Sequence, residues 1–177
     1  MNDYFEDVES YGKDSEGAER RSHEAIALDQ PIRALPLRAP LCLDGGRPVS
    51  EAIEMMRGNH NGSVLVTDGG KLVGIFTERD VLNKLALGEL NPSEVHLSDL
   101  MHRGPETLRP DAPMVYALNV MSLGGFRHVP LVDEEGRPVG IVSVRDIVNY
   151  LVDHFPDEVL NLPPRPGGDI ARSREGA

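Results

Sequence analysis

The chain has 177 residues, is 40% hydrophobic and carries a formal net charge of −11, which suits one domain of ordinary size with a real apolar core. It contains no run of about 18 apolar residues, so no membrane-spanning helix is predicted. The acidic balance argues against general nucleic-acid binding, where basic surfaces neutralise phosphates, but leaves room for a small anionic ligand, because local charge decides that. The single cysteine, Cys42, cannot form an intramolecular disulfide, and the acidic stretch Met1–Ser10 lacks the apolar segment of a signal peptide; both features predict a cytoplasmic location.

Residues 1–28 are acidic, with no sustained helical or alternating period, and read as a disordered arm in which Tyr4, Phe5, Val8 and Tyr11 form a candidate docking motif. Leu35, Leu37, Leu41 and Leu43 are interrupted by Pro36 and Pro40, which predicts a short edge strand after Pro40. After a Gly45-Gly46 turn, Val49, Ala52, Ile53 and Met56 recur at helical spacing, so Val49–Arg57 is a helix that ends in the Gly58–Gly62 segment. Ser63–Thr67 and Leu72–Phe76 read as strands joined by the hairpin Asp68-Gly69-Gly70-Lys71. Thr77 then caps a helix through Leu87, which Gly88 stops.

A connector over 89–103 offers Ser93 and Ser98 as caps and a helical turn at Leu97–Met101. Thr107-Leu108 is the next short strand, Pro113 suits the first position of a helix with Val115, Leu118 and Met121 on one face, and Gly124-Gly125 ends it. The turn at Asp133–Gly136 introduces the apolar strand Arg137–Val142, followed by a helix to about Asp153. Residues 154–177, rich in Pro and Gly, read as an extended tail whose Val159, Leu160 and Leu162 are candidates to dock on the core.

The chain repeats itself. Gly74-Ile75-Phe76-Thr77-Glu78-Arg79-Asp80 has the grammar of Gly140-Ile141-Val142-Ser143-Val144-Arg145-Asp146, 66 positions later. Upstream, Pro40, Val49, Ala52, Met56, Val66 and Asp68 correspond to Pro105, Met114, Ala117, Met121, Leu131 and Asp133 at an offset of 65. Each unit runs short strand, helix, strand, hairpin, strand, helix. A unit of about 60 residues is small for an independent core, and two stacked units would cover each other's apolar sheet face.

In each copy a strand ends where a helix begins, with a hydroxyl at the junction and a carboxylate three residues on. Free N–H groups at the helix start and the hydroxyl of Thr77 or Ser143 can face phosphate oxygens, and Asp80 or Asp146 can accept both hydroxyls of a ribose. The same residues also make ordinary helix caps.

These two motifs, with the upstream Phe126-Arg127-His128-Val129-Pro130-Leu131-Val132-Asp133, resemble a tandem pair of cystathionine β-synthase (CBS) domains, a Bateman module, over roughly residues 32–153. The resemblance implies an α+β fold of two pseudo-twofold-related β-α-β-β-α repeats, 32–90 and 91–153, packed sheet to sheet. It further implies a regulatory adenosine nucleotide (AMP, ADP or ATP) bound in the clefts between repeats, and a homodimer that signals to a partner protein. A sensor of S-adenosylmethionine and a nucleotide-independent interaction scaffold, the latter suggested by the arm and tail, are the alternatives.

On that basis Thr77, Asp80, Ser143 and Asp146 are the ribose and phosphate candidates. Arg127 and His128, next to Pro130, stand where the first repeat has Gly62 and Ser63, and they face phosphates, with Arg79 and Arg145 assisting. Ile75, Phe76, Ile141 and Val142 flank an apolar slot for the base, with Cys42 and Thr107 as wall candidates; taken singly, each of these also reads as core packing. The six histidines show no metal-ligand spacing. No phosphate-binding glycine loop or nucleophile elbow is present, and no nucleophile–base pair can be placed. A non-enzymatic protein with no catalytic cofactor is expected.

Overall fold

The computed structural model describes residues 28–85 and 90–154. The acidic arm up to residue 27, the expected helix end at Leu87-Gly88 and the tail from residue 155 lie outside them.

The first half contains β1 (Cys42–Asp44), α1 (Val49–Asn59), β2 (Ser63–Asp68), β3 (Lys71–Thr77) and α2 (Glu78–Asp80), which passes into a π-helical turn at Val81–Leu85 where a regular helix was expected. A short helix α3 (Leu97–Leu100) and strand β4 (His102–Arg103) lead to α4 (Met114–Gly124), β5 (His128–Val132), β6 (Pro138–Ser143) and α5 (Val144–His154). The cap of α3 is His96 rather than Ser98. Strands β1 to β4 form one sheet in that order, with β1 parallel to β2 and the other pairs antiparallel. In the second half β5 pairs with β6, and the predicted Thr107-Leu108 strand reduces to one parallel bridge, Leu108 to Leu131.

Each half has its own core. Val49, Ala52, Met56, Val64, Val66 and Phe76 pack together in the first, and Met114, Ala117, Met121, Val129, Leu131 and Val142 in the second. These sets coincide with the repeated apolar positions of the sequence. In α4 the buried stripe is Met114, Ala117 and Met121, whereas Val115 is 44% exposed. That helix is apolar almost all round, so its pattern does not fix its phase.

The segments leading into the two halves are exchanged. Ile32 and Leu35, ahead of the first half, are buried in the second core, while Leu97 and Met101, ahead of the second, are buried in the first. Matching hydrogen bonds hold both crossings: the Ile32 N–H donates to Ala112 O and the Leu97 N–H to Arg47 O, each at 2.9 Å, and the Val49 N–H donates to Val95 O as the Met114 N–H does to Gln30 O, again at 2.9 Å. Every one of these pairs is related to its counterpart by the 65-residue offset, so the pseudo-twofold relation extends to the backbone.

The two sheets meet along a seam of Leu65, Ile75 and Ile141, flanked by Cys42 and Leu72, and the Leu72 N–H donates to Gly136 O of the other hairpin at 2.9 Å. Strand β4 lies close against β3: a Cβ on Gly74 would run into the Met101 side chain and come within 3.0 Å of the His102 carbonyl, so glycine is what admits this edge strand. Among the described residues no helix is long and apolar enough to cross a membrane.

Candidate functional site

Both strand-to-helix junctions lie at the ends of the central hairpins, facing the opposite half. At Thr77 the backbone is extended, and the chain turns into α2 through a closed set of hydrogen bonds. The Thr77 N–H and hydroxyl donate to Asp80 Oδ2 at 2.9 and 2.7 Å, and the Asp80 N–H returns to Thr77 Oγ1 at 3.3 Å. Ser143 and Asp146 repeat this geometry at 2.8, 2.6 and 3.3 Å. The hydroxyl and carboxylate are therefore caps, as one reading of the sequence has it, and each carboxylate still has a second oxygen. In Asp80 that oxygen, Oδ1, meets Lys84 Nζ at 2.8 Å, and the same ammonium donates to Leu100 O at 2.6 Å. Asp146 Oδ1 has no partner among the described residues.

Two clefts open beside these junctions. One, of about 380 Å³, brings Ile75, Thr77, Arg79 and Asp80 of the first half against Phe126, Arg127 and His128 of the second, with the 102–106 segment as a further wall. The other, of about 410 Å³, sets Ile141, Ser143, Arg145 and Asp146 against His60, Asn61 and Gly62, with Arg38 at its side. Gly62, Glu78, Arg127 and His128 line both. Each cleft thus combines a carboxylate from one repeat with groups of the other, because the pseudo-twofold brings each strand end beside its partner's helix-to-strand turn. Arg79 makes the crossing itself, donating to Gly125 O at 3.5 Å.

Burial, and then the neighbouring Arg127 charge, lower the pKa of His128 below its ordinary 6.5, while the carboxylates of Asp146 and Glu78 pull it back up. The ring is therefore neutral at pH 7 and offers one donor and one acceptor. Ser63, at the corresponding place in the first half, is buried, and its hydroxyl has no partner among the described residues.

Not every candidate residue reaches a cleft. Phe76 and Val142 are fully buried and point into the two cores, on the strand faces opposite Ile75 and Ile141. Pro130 is buried in β5 opposite Ile141. Cys42 packs at the seam, where burial pushes its thiol pKa up. Thr107 is exposed and lines neither cleft; its neighbours Pro105 and Glu106 line the first. Conversely, Arg38, His60, Asn61 and Glu78 line clefts without having been singled out in the sequence. His60 and Asn61 stand at the 65-residue offset from Gly125 and Phe126, so aligning the two turns would have found them.

The family model of the CBS domain matches residues 32–87 and 97–153. Among curated proteins, the uncharacterized protein MK0525 of Methanopyrus kandleri is 35% identical over 121 residues, covering 64% of this chain and 62% of its own length. The CBS domain-containing protein CBSCBSPB1 of Arabidopsis thaliana is 31% identical over 128 residues, covering 62% of this chain but only 23% of its own length. The chain thus spans under two thirds of these relatives. Among solved structures, a putative signal-transduction protein with CBS domains from Burkholderia ambifaria superposes with a TM-score of 0.62 at 26% identity, over 69% of this chain and 90% of its own. The CBS domain pair of protein MJ0100, in complex with methylthioadenosine and S-adenosyl-L-methionine, does so with a TM-score of 0.63 at 26% identity, over 70% and 97%. With both repeats matched by the family model and the same paired architecture in its structural neighbours, the chain belongs to the CBS-domain family.

Proposed function

We propose that this protein is a regulatory sensor that binds adenosine nucleotides of the AMP, ADP and ATP class between its repeats and passes the change to a partner protein. The observation that carries this reading is the construction of the clefts: in each, a capping hydroxyl and carboxylate from one half face the other half's helix-to-strand turn, and Arg127 and His128, with Arg79 or Arg145, line the space beside them. The carboxylate suits ribose hydroxyls, the arginines suit phosphates through paired N–H donors, and Ile75 or Ile141 gives the base an apolar edge. The MJ0100 pair holds adenosyl ligands, which supports recognition of the adenosine part; the arginines here favour phosphates over the cationic sulfonium of S-adenosylmethionine. Because both halves contribute to each cleft, occupancy favours one relative tilt of the repeats, and that differential affinity is what a partner can read.

Calorimetric titration with AMP, ADP, ATP and S-adenosylmethionine tests this. Adenine nucleotides are expected to bind, and the Asp80→Ala/Asp146→Ala double variant to lose about ten- to hundredfold in affinity. A folded protein that takes up none of the four ligands would return the reading to a nucleotide-independent scaffold.

The same proposal includes a homodimer. On α4, Val115, Tyr116 and Leu123 are 44%, 55% and 83% exposed, a cluster of large apolar side chains on one helix. Sedimentation at micromolar concentration is expected to give twice the chain mass. A monomer across the concentration range, with and without nucleotide, would refute the association.

A further inference from the structure

We propose that the two clefts are not equivalent: the cleft holding Asp146 takes the nucleotide, and Lys84 keeps the Asp80 cleft from binding ribose by occupying its carboxylate. This assignment rests on the nucleotide reading above and settles which carboxylate serves it.

The two carboxylates differ in what they have left to give. Each spends Oδ2 on its own cap. Asp80 also spends Oδ1, on the Lys84 ammonium at 2.8 Å, and its side chain is only 17% exposed. Asp146 keeps Oδ1 without a partner among the described residues. A ribose hydroxyl donates to a carboxylate oxygen, so at Asp80 it must first displace a charge-assisted bond, whereas at Asp146 it need not. Lys84 is held from two sides, because it also donates to Leu100 O at 2.6 Å. Its counterpart at the 66-residue offset is Tyr150, which has no ammonium. Lys84 does not line the cleft, so its charge acts on Asp80 and the Leu100 turn rather than as a phosphate ligand.

Charge points the same way. The Asp146 cleft has three arginines (Arg38, Arg127, Arg145) against two carboxylates, Glu78 and Asp146. The Asp80 cleft has two (Arg79, Arg127) against three carboxylates, Glu78, Asp80 and Glu106, and Arg79 is already donating to Gly125 O. Because Lys84 neutralises Asp80, the Asp80 cleft is left balanced in charge, whereas a phosphate chain meets net attraction in the Asp146 cleft. Arg127 lies in the shared wall, so a phosphate bound from the Asp146 side engages it and leaves the Asp80 cleft still poorer in positive charge.

The test titrates AMP and ATP into the full-length wild type and into Asp146→Ala, Asp80→Ala, Lys84→Met and Lys84→Arg, each checked for folding by thermal melt. Wild type is expected to show one tight site per chain. Asp146→Ala should weaken it about ten- to hundredfold, and Asp80→Ala far less. Lys84→Met should bring a second site into range with affinity raised about tenfold or more, while Lys84→Arg, which preserves the ion pair, should not. A tight site that survives Asp146→Ala and is lost in Asp80→Ala overturns the assignment and leaves the nucleotide reading standing. A folded Lys84→Met protein with unchanged stoichiometry and affinities overturns the role given to Lys84. Absence of nucleotide binding in wild type and in every folded variant overturns the nucleotide reading itself, and this assignment with it.

Discussion

Arg127→Ala is expected to weaken AMP, ADP and ATP by about ten- to hundredfold, since a hydrogen bond to a charged group contributes roughly 1.5–3 kcal/mol. Adenosine should lose little, because it has no phosphate to lose a partner. Arg127 lines both clefts and stands where the first repeat has Gly62, so no symmetry-related residue can replace it. Lysine at this position should restore only part of the affinity, because a point charge lacks the planar fork that donates two bonds at once. The difference between nucleotide and nucleoside should also shrink with added salt, since Arg127 is exposed and its charge is screened. Parallel calorimetry with AMP and adenosine reads the effect. Equal weakening of both ligands would make Arg127 a structural residue.

Phe76→Ala is expected to lower stability by about 3–5 kcal/mol, a large part of the roughly 5–15 kcal/mol that a domain has. Phe76 is fully buried in the first core, among Val49, Ala52, Met56 and Leu97, and its removal leaves a cavity that the surrounding helix and sheet can only partly close. The urea unfolding midpoint should fall sharply, with a smaller fall for Phe76→Leu. Nucleotide affinity of the folded protein should stay close to wild type, because the ring faces away from both clefts. A variant with native stability and impaired binding would put Phe76 back on the wall of the site, where the sequence pattern had suggested it.

That case shows how far the sequence reaches. The helix of Val49, Ala52 and Met56, the glycine hairpins and the Thr77 and Ser143 caps are legible because each rests on local chemistry: an apolar period, a turn residue, a capping hydroxyl. The repeat adds the pairing of the two halves, and hence the opposition of Arg127 to Asp80. Which of two adjacent apolar residues faces the cleft is not legible. Strands β3 and β6 are buried on both faces, so Ile75-Phe76 and Ile141-Val142 show no polar–apolar alternation to separate seam from core. The phase of α4 is hidden for the same reason. Strand β4 is invisible because His102 and Arg103 are exposed polar residues whose extended pairing depends on the absent side chain of Gly74. The bond from Lys84 to Leu100 O spans 16 residues, and no local pattern announces it.

The exchanged leading segments have a consequence for how damage travels. Ile32 and Leu35 stand at the very start of the matched family region, yet the core they complete is built from residues far downstream, Met114 to Ile147. A deletion that removed them would spare β1 to β3, α1 and α2 of the first repeat and open the floor of the second. The connector bearing Leu97 and Met101 has the converse reach, backwards along the chain. Cut between the repeats, each fragment would carry off the stopper that fits the other. Neither fragment is then a smaller version of the whole, and a ribosome that has released only the first repeat has not yet delivered the side chains that close it.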